Sequence, residues 1–225
     1  MCIRKPPFPR LLLNNVSCMR NAQHVLRHVN VSLHNGSALV LTGANGSGKT
    51  TFLCMLAGFS RPSAGEILWN GHNIQDSGIF HQYKLKLNWL SLKDAITDRF
   101  TVLENVQWFE LLEGKYGKAL PALELMGLAK EKPKMLSMGQ RKRVQLAMLI
   151  VDRPIWLLDE PSVALDDEGV KLLEYIISEH RKNGGIVIVA THLPIEIHDS
   201  MLLRLPPRFP RRMTFFDMLD RSYIM

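Results

Sequence analysis

Three glycines and a lysine–threonine pair stand close together at residues 43–50. This segment reads Gly-Ala-Asn-Gly-Ser-Gly-Lys-Thr and follows an apolar run, Ser37–Thr42, that is typical of a strand. Glycines let the main chain wrap closely around a ligand, so that successive N–H groups point inward. A helix beginning near Lys49 would turn its positive N-terminus to the same ligand. Such a P-loop binds a polyphosphate, with the lysine on the β- and γ-phosphates and Thr50 on Mg²⁺.

The segment therefore predicts a nucleotide site, for ATP with magnesium. The residues that we expect to contact the nucleotide from this loop are Gly43, Ala44, Asn45, Gly46, Ser47, Gly48, Lys49, Thr50 and Thr51.

Two adjacent acids, Asp159 and Glu160, end the apolar run Ile155–Leu158. The run is typical of a strand buried on both faces of a parallel sheet. Open α/β sheets place their chemistry at the carboxyl ends of such strands. We expect Asp159 to hold Mg²⁺, directly or through water, and Glu160 to polarise an attacking water. Both acids could instead merely cap the next helix, but a P-loop on a neighbouring strand favours the catalytic interpretation.

Two further sites depend on their position relative to these motifs. Leu136-Ser137-Met138-Gly139-Gln140 directly precedes a helical pattern, and Ser137, Gly139 and Gln140 would form a second anion-binding helix start. His192 follows the buried run Ile186–Ala190, where it would contact the γ-phosphate as a third catalytic residue beside Glu160 and Lys49. A structural role is the alternative for an isolated histidine.

The elements that must position these residues alternate in type, which predicts an α/β fold with parallel strands. A helix over Gly169–Arg181 lies between the runs that end at Leu158 and Ala190. Near the N-terminus, strands at Leu11–Val16, Val25–Leu33 and Glu66–Asn70 suggest a small antiparallel sheet beside the nucleotide.

A helical subdomain is predicted over roughly residues 85–151. Its expected helices are Val102–Leu112, Leu120–Met126 and Gly139–Val151, the last with an apolar stripe at helical spacing. We expect residues 1–205 to form one domain. The basic, proline-rich tail at 206–225 is predicted to be an appendage, either solvated or docked on anionic lipid.

Composition limits the classes of function. The 225 residues carry a net charge of +7, but the basic side chains form no single stripe, so we expect no nucleic-acid partner. The three cysteines are far apart and include no CxxC pair, which predicts neither a zinc site nor a disulfide framework. No apolar run is long enough to span a membrane.

Taken together and in this order, the P-loop, LSMGQ at 136–140, LLDEP at 157–161, Ser162–Asp166 and His192 resemble the nucleotide-binding domain of ABC ATPases. The resemblance covers nearly all of the chain to about residue 205. It implies a P-loop NTPase core with a parallel sheet, an antiparallel β subdomain and an α-helical subdomain. It also assigns Ser162–Asp166 to the D-loop and His192 to the switch histidine.

A narrower resemblance, to the CcmA family, rests on Leu13–Ser17, Leu56–Trp69, Arg99–Val106 and Gly184–His192. CcmA proteins are the ATP-binding subunits of the cytochrome c maturation system. The resemblance implies an integral membrane partner similar to CcmB, with CcmC and the haem chaperone CcmE in the same system. ATP hydrolysis would then serve haem delivery and the release of CcmE. The divergent tail and basic character look like the plant mitochondrial form, which implies the matrix face of the inner membrane; the alternative is the cytoplasmic face of a bacterial plasma membrane.

Two positions depart from the ABC pattern. Lys93 stands where a glutamine is expected, and an ammonium, which only donates hydrogen bonds, cannot ligate Mg²⁺. The region Val16–Val25 lacks the aromatic ring that usually stacks on adenine. The sequence therefore gives only weak support for selectivity toward one base, and it predicts a low rate of hydrolysis.

One P-loop and one LSMGQ segment in a single chain cannot complete an ABC-type ATP site. We expect a head-to-tail dimer in which Gly43–Thr51 of one copy and Ser137–Gln140 of a second copy enclose each ATP. Two alternatives stay open: a soluble ABC ATPase of the iron–sulfur assembly type, and a nucleotide-binding regulator without turnover. A DNA-repair ABC ATPase is disfavoured because the interval 51–136 contains neither a long coiled coil nor a zinc module.

Overall fold

The computed structural model describes residues 8–20, 23–91, 96–112, 127–149 and 153–206. Within these ranges the chain forms nine strands and five α-helices. In chain order they are β1 (Leu11–Arg20), β2 (Gln23–Leu33), β3 (Ala38–Thr42), α1 (Lys49–Leu56), β4 (Ala64–Trp69), β5 (His72–Asn73), α2 (Ser77–Lys84), β6 (Leu87–Leu90), α3 (Val102–Leu112), α4 (Met138–Met148), β7 (Ile155–Asp159), α5 (Asp167–Lys182), β8 (Ile186–Ala190) and β9 (Ser200–Arg204).

The N-terminal strands form the predicted antiparallel sheet, in the order β2-β1-β4-β5. Strand β1 is central and pairs with β2 on one side and with β4 on the other, so that Leu11 lies opposite both Leu33 and Trp69. The sequence places this sheet correctly, but β1 continues to Arg20, beyond the predicted end at Val16.

The second sheet is parallel and has the order β6-β7-β8-β3-β9. Strands β7 and β8 are buried along their whole length, as their continuous apolar sequences predict. Strand β8 lies between β7 and β3, and therefore the acids that end β7 and the loop that follows β3 meet at the same edge of the sheet. This order positions the site.

Side chains on the two faces of the parallel sheet pack into different parts of the core. Ile155 and Leu157 of β7 face α1 and the antiparallel sheet, where Phe52 of α1 is fully buried. Trp156 and Leu158 face the other side, with α4 and α5. The alternation follows from the two-residue period of a strand.

A third cluster forms the helical part of the fold, in which Val102 and Val106 of α3 pack on Val144 and Met148 of α4. The predicted start of the helical subdomain near residue 85 is wrong. Residues Leu87–Leu90 form β6, which pairs in parallel with β7 at the edge of the main sheet. A segment of four residues is too short to show a readable period, so strand and helix cannot be distinguished there from sequence. The predicted helix over Leu120–Met126 lies outside the described residues, as does the tail from 207 onward.

Among the helices in the described ranges, none combines the length and apolar character that crossing a bilayer requires.

Candidate active site

The loop between β3 and α1 is shaped by glycines in left-handed conformations. Gly43, Gly46 and Gly48 have φ angles of 153°, 79° and 111°. At Gly43 a Cβ atom would lie 2.7 Å from the Oγ of Ser47, so no larger residue fits without displacing that side chain. Ser47 Oγ is buried and has no hydrogen-bond partner in the described part of the chain, which fits a loop built to hold an acceptor from outside the protein.

Lys49 begins α1 and folds back over this loop. Its side chain is only 7% exposed; its Nζ donates a hydrogen bond of 2.8 Å to the Gly43 carbonyl and lies 3.5 Å from Oε1 of Glu160. Among the described residues this buried ammonium is held by a carbonyl and one carboxylate, and it can transfer to a stronger acceptor such as a phosphate.

Thr50 and Asp159 are brought together from residues more than a hundred positions apart. The Thr50 hydroxyl donates to Oδ2 of Asp159 at 2.9 Å. Burial raises the pKa of the Asp159 carboxyl above its ordinary value; the Thr50 hydrogen bond opposes the shift, and the nearby charge of Glu160 adds to it. Hard cations favour hydroxyl and carboxylate oxygens, and Mg²⁺ typically takes one or two protein ligands beside phosphates and waters. This pair fits magnesium.

Glu160 is held in an uncommon conformation at the end of β7. Its φ angle is 50°, in the left-handed region that non-glycine residues rarely occupy, while its main-chain N–H donates to Ala190 at 2.8 Å. Oε2 of Glu160 accepts from the His192 main-chain N–H at 3.2 Å and lies 2.8 Å from His192 Nδ1. Strain of this kind is concentrated at functional sites, where the surroundings enforce it.

These side chains line a cleft of about 540 Å³. Its walls contain six residues of the loop and helix, the two acids, His192 and one residue of the turn that follows Glu160: Asn45, Gly46, Gly48, Lys49, Thr50, Thr51, Asp159, Glu160, His192 and Val163. The structure thus brings six of the nine predicted P-loop residues together with Asp159, Glu160 and His192, whereas Gly43, Ala44 and Ser47 do not line the cleft.

Ser137, Gly139 and Gln140 lie elsewhere. They line a separate cavity of about 650 Å³ with Leu128, Arg143, Ala164 and Asp166, which we call the signature cavity. Ser137 caps α4: its Oγ accepts from the Gln140 N–H at 3.2 Å, and Gln140 Oε1 accepts from the Ser137 N–H at 2.9 Å. The two cavities share no lining residue, so the described part of one chain does not enclose a ligand between the P-loop and Ser137–Gln140.

The two departures noted in the sequence meet the structure differently. Lys93 lies outside the described residues. The segment Val16–Val25 covers the end of β1 and the start of β2, and none of its described residues lines the cleft. Sequence reasoning missed Arg143, whose partner is Asp166, 23 residues away, because no local pattern links the two.

Comparison with known proteins agrees with this geometry. The sequence model of the ABC transporter family matches residues 26–163. The chain is 38% identical over 202 residues to the cytochrome c biogenesis ATP-binding export protein CcmA of Escherichia coli O157:H7, covering 87% of this chain and 95% of that protein. The chain belongs to the ABC transporter family, in its CcmA branch. The predicted family is therefore confirmed.

Further relatives of this CcmA-type chain agree. ABC transporter I family member 1 of Arabidopsis thaliana is 79% identical over 228 residues, covering the whole of both chains. Among solved structures, an ABC transporter ATP-binding protein of Pyrococcus furiosus superposes with a TM-score of 0.74 at 30% identity, covering 87% of this chain and 96% of that one. A dimeric bacterial ABC transporter cassette gives 0.70 at 25% identity, covering 87% and 94%. The predicted ABC ATPase fold is confirmed, and the chain is an ATP-binding subunit of a family that hydrolyses ATP.

Proposed function

We propose that this chain hydrolyses ATP in the cleft between α1 and the end of β7, with Glu160 as the residue that activates water. The observation that carries this proposal is the setting of the Glu160 carboxylate. One oxygen lies 3.5 Å from Lys49 Nζ, and the other lies 2.8 Å from His192 Nδ1. When a phosphate draws the Lys49 ammonium away, the carboxylate becomes available to accept a proton from water.

The other residues of the cleft have separable roles. The main chain of 43–48 and Lys49 bind the phosphates, and Thr50 with Asp159 holds Mg²⁺, which supplies charge stabilisation on the transferring phosphoryl group. The carboxylate of Glu160 accepts the Nδ1–H of His192, which leaves Nε2 of the ring for the γ-phosphate. His192 is 43% exposed whereas Glu160 is 11% exposed, which suits a histidine at the mouth of the cleft and a carboxylate inside it.

Each complete site would need two copies of the chain in head-to-tail contact. Support comes from the separation of the signature cavity from the ATP cleft and from the similarity to a dimeric cassette. In such a dimer Ser137, Gly139 and Gln140 of one copy would offer hydroxyl, amide and helix N-terminus to the γ-phosphate held by the other. Closure on ATP and opening after hydrolysis would then move the helical part of each copy.

We propose that this closing and opening serves cytochrome c maturation at a membrane. The similarity to the E. coli cytochrome c biogenesis protein CcmA supports this. The integral partner would resemble CcmB, in a system with CcmC and CcmE, so that hydrolysis serves haem delivery and CcmE release.

We propose that the chain lies at the matrix face of the mitochondrial inner membrane, with the bacterial cytoplasmic face as the alternative. Exposed apolar side chains on and before α3, Phe100, Trp108 and Leu111, offer the partner a surface.

Steady-state ATPase measurements on purified protein test the hydrolytic part. We expect Glu160→Gln to bind ATP, to accumulate as a dimer in ATP, and to lose hydrolysis by on the order of 100-fold or more. Lys49→Ala is the matched control, because it should lose binding as well. Hydrolysis by Glu160→Gln at the parent rate would exclude Glu160 as the activating residue, and absence of turnover in the parent would indicate a regulator.

Affinity capture from detergent-solubilised membranes tests the partner. Recovery of one integral membrane protein, reduced in a Trp108→Glu variant, is the expected result. Recovery of a soluble iron–sulfur scaffold alone would contradict the proposal.

A further inference from the structure

The turn at 160–166 connects the two cavities. Val163 lines the ATP cleft, whereas Ala164 and Asp166 line the signature cavity. Two main-chain hydrogen bonds close the turn, from Val163 N to the Glu160 carbonyl at 3.3 Å and from Leu165 N to the Ser162 carbonyl at 3.1 Å. Ala164 also has a positive φ angle, 67°. The turn therefore forms a continuous, hydrogen-bonded connection between the signature cavity and Glu160.

Arg143 holds the far end of this turn. Its Nη2 lies 2.7 Å and 2.8 Å from the two carboxylate oxygens of Asp166. Asp166 Oδ1 also accepts from Gly169 N at 2.9 Å and so caps α5. The hydrogen bond from Arg143, followed by that from Gly169, keeps the pKa of Asp166 below its ordinary value, so the carboxylate stays charged. One ion pair thus joins α4, the turn and α5.

A second contact joins α4 to the turn at 160–166. A Cβ atom at Gly139 would lie 2.8 Å from the carbonyl oxygen of Ala164, so the first turn of α4 rests directly on the turn at 160–166. Gly139 and Arg143 are four residues apart and therefore share one face of α4. The end of α4 that would serve the neighbouring ATP site is fixed at two points to the turn that begins at Glu160.

We propose that Arg143 is a positioning residue which, through Asp166 and the turn at 160–166, couples the signature end of α4 to Glu160 of the same copy. This inference rests on the proposed two-copy function. The signature cavity of each copy would contact the ATP bound by the other copy, whereas Glu160 would act on the ATP bound by its own copy. The ion pair therefore links one copy's hydrolytic site to the contact it makes with the other copy's ATP.

The alternative is that the pair only adds stability. The side chains of Arg143 and Asp166 are 30% and 65% exposed, and exposed ion pairs contribute little to stability. A variant that breaks the pair should therefore change turnover far more than it changes the melting temperature.

Two variants break the pair while keeping its other contacts. Asp166→Asn keeps an oxygen that caps Gly169, and Arg143→Gln keeps a polar side chain of related shape. We expect each to lower kcat for ATP about 3- to 30-fold, the range of coupling through such networks, with KM within about twofold.

The double variant should be no slower than either single one, and Arg143→Lys should recover part of the loss. Lys182→Gln, which breaks the exposed pair with Glu179 on α5, is the matched control and should leave kcat unchanged. Parent-like kcat in both variants, or additive losses in the double variant, would overturn the proposal.

Mixed dimers then show which site is slowed. Arg143→Gln protein is mixed with an excess of Glu160→Gln protein, and the ATPase rate is compared with that of parent protein in the same excess. The hydrolysing site of each mixed dimer combines the Arg143→Gln copy's own Glu160 with an intact partner signature cavity. Coupling within one copy predicts that this site is slowed by the same factor as in the Arg143→Gln homodimer. A rate equal to the parent mixture would show that Arg143 acts only on the neighbour's ATP, and the inference would fail while the proposed function stands. A parent protein that hydrolyses no ATP would remove both.

Discussion

The Glu160 carboxylate and the His192 imidazole lie 2.8 Å apart, although 32 residues separate them in the chain. The contact depends on the pairing of β7 with β8, which sets Asp159 opposite Ala190 and brings the segments after the two strands together. The main-chain N–H of His192 donates to the same carboxylate oxygen. Two donors from one residue therefore fix the orientation of the carboxylate that we propose to activate water.

His192→Ala should leave Oε2 of this carboxylate with the main-chain contact alone, while Oε1 keeps its contact with Lys49. We expect kcat for ATP to fall on the order of 100-fold, because both the orientation of Glu160 and the ring contact with the γ-phosphate are lost. ATP affinity, measured with a fluorescent analogue, should change little, since the loop at 43–48 is untouched. His198→Ala is the control, because His198 is not among the residues of the cleft. A kcat within twofold of the parent would remove His192 from the hydrolytic site.

Thr50→Val should weaken the magnesium site while preserving the shape of the side chain. The hydroxyl that bonds Asp159 at 2.9 Å is lost, and we expect the Mg²⁺ concentration for half-maximal ATPase to rise about 10- to 100-fold. Thr50→Ser keeps the hydroxyl and should behave like the parent. An unchanged magnesium requirement in the valine variant would mean that the metal is held by other groups.

Asp159→Asn should stabilise the nucleotide-free protein at neutral pH. Because burial raises the pKa of this carboxyl above 3.8, the folded state binds the proton more tightly than the unfolded state. The stability contributed by this group is complete below pH 3.8 and is lost as the pH rises through the raised pKa. The neutral asparagine avoids that loss, so its melting temperature should exceed the parent's at pH 7, with the difference closing below about pH 4. Thermal unfolding in EDTA measures this, and a gap that widens on acidification would contradict the assignment.

Gly139→Ala should disturb the contact between α4 and the turn at 160–166. The added Cβ would lie 2.8 Å from the Ala164 carbonyl, and relieving that overlap should cost about 1–3 kcal/mol in the free energy of unfolding. Gly78→Ala is the matched helical control, because nothing lies within 4 Å of its Cβ position. It should be neutral or gain up to about 1 kcal/mol. Chemical denaturation compares the two variants. Equal free energies of unfolding would show that the turn at 160–166 shifts to accommodate the added Cβ without a cost in stability.

Local chemistry made the site predictable where residues are neighbours in the chain. The glycines at 43–48 and the lysine that follows them predict a phosphate-binding loop from local sequence alone. The apolar run before Asp159 likewise predicts a buried strand. Three features could not be predicted in this way. Strand β6 is too short to show a period, the Gly139–Ala164 approach depends on how two segments pack, and the Arg143–Asp166 pair joins different elements. Each depends on tertiary contacts, which a pattern of spacing does not encode.

The position of β3 in the sheet has a consequence for how the protein is made. Strand β3 carries the P-loop, yet both strands that pair with it, β8 and β9, are synthesised roughly 150 residues later. At about 5–20 residues per second, a ribosome needs on the order of 10–30 s to supply them. During that interval the glycine loop has left the ribosome, but the strand that supports it has neither neighbour. Nucleotide capture should therefore begin only when the nascent chain is nearly complete, and a ribosome stalled before β8 should display a P-loop unable to retain ATP.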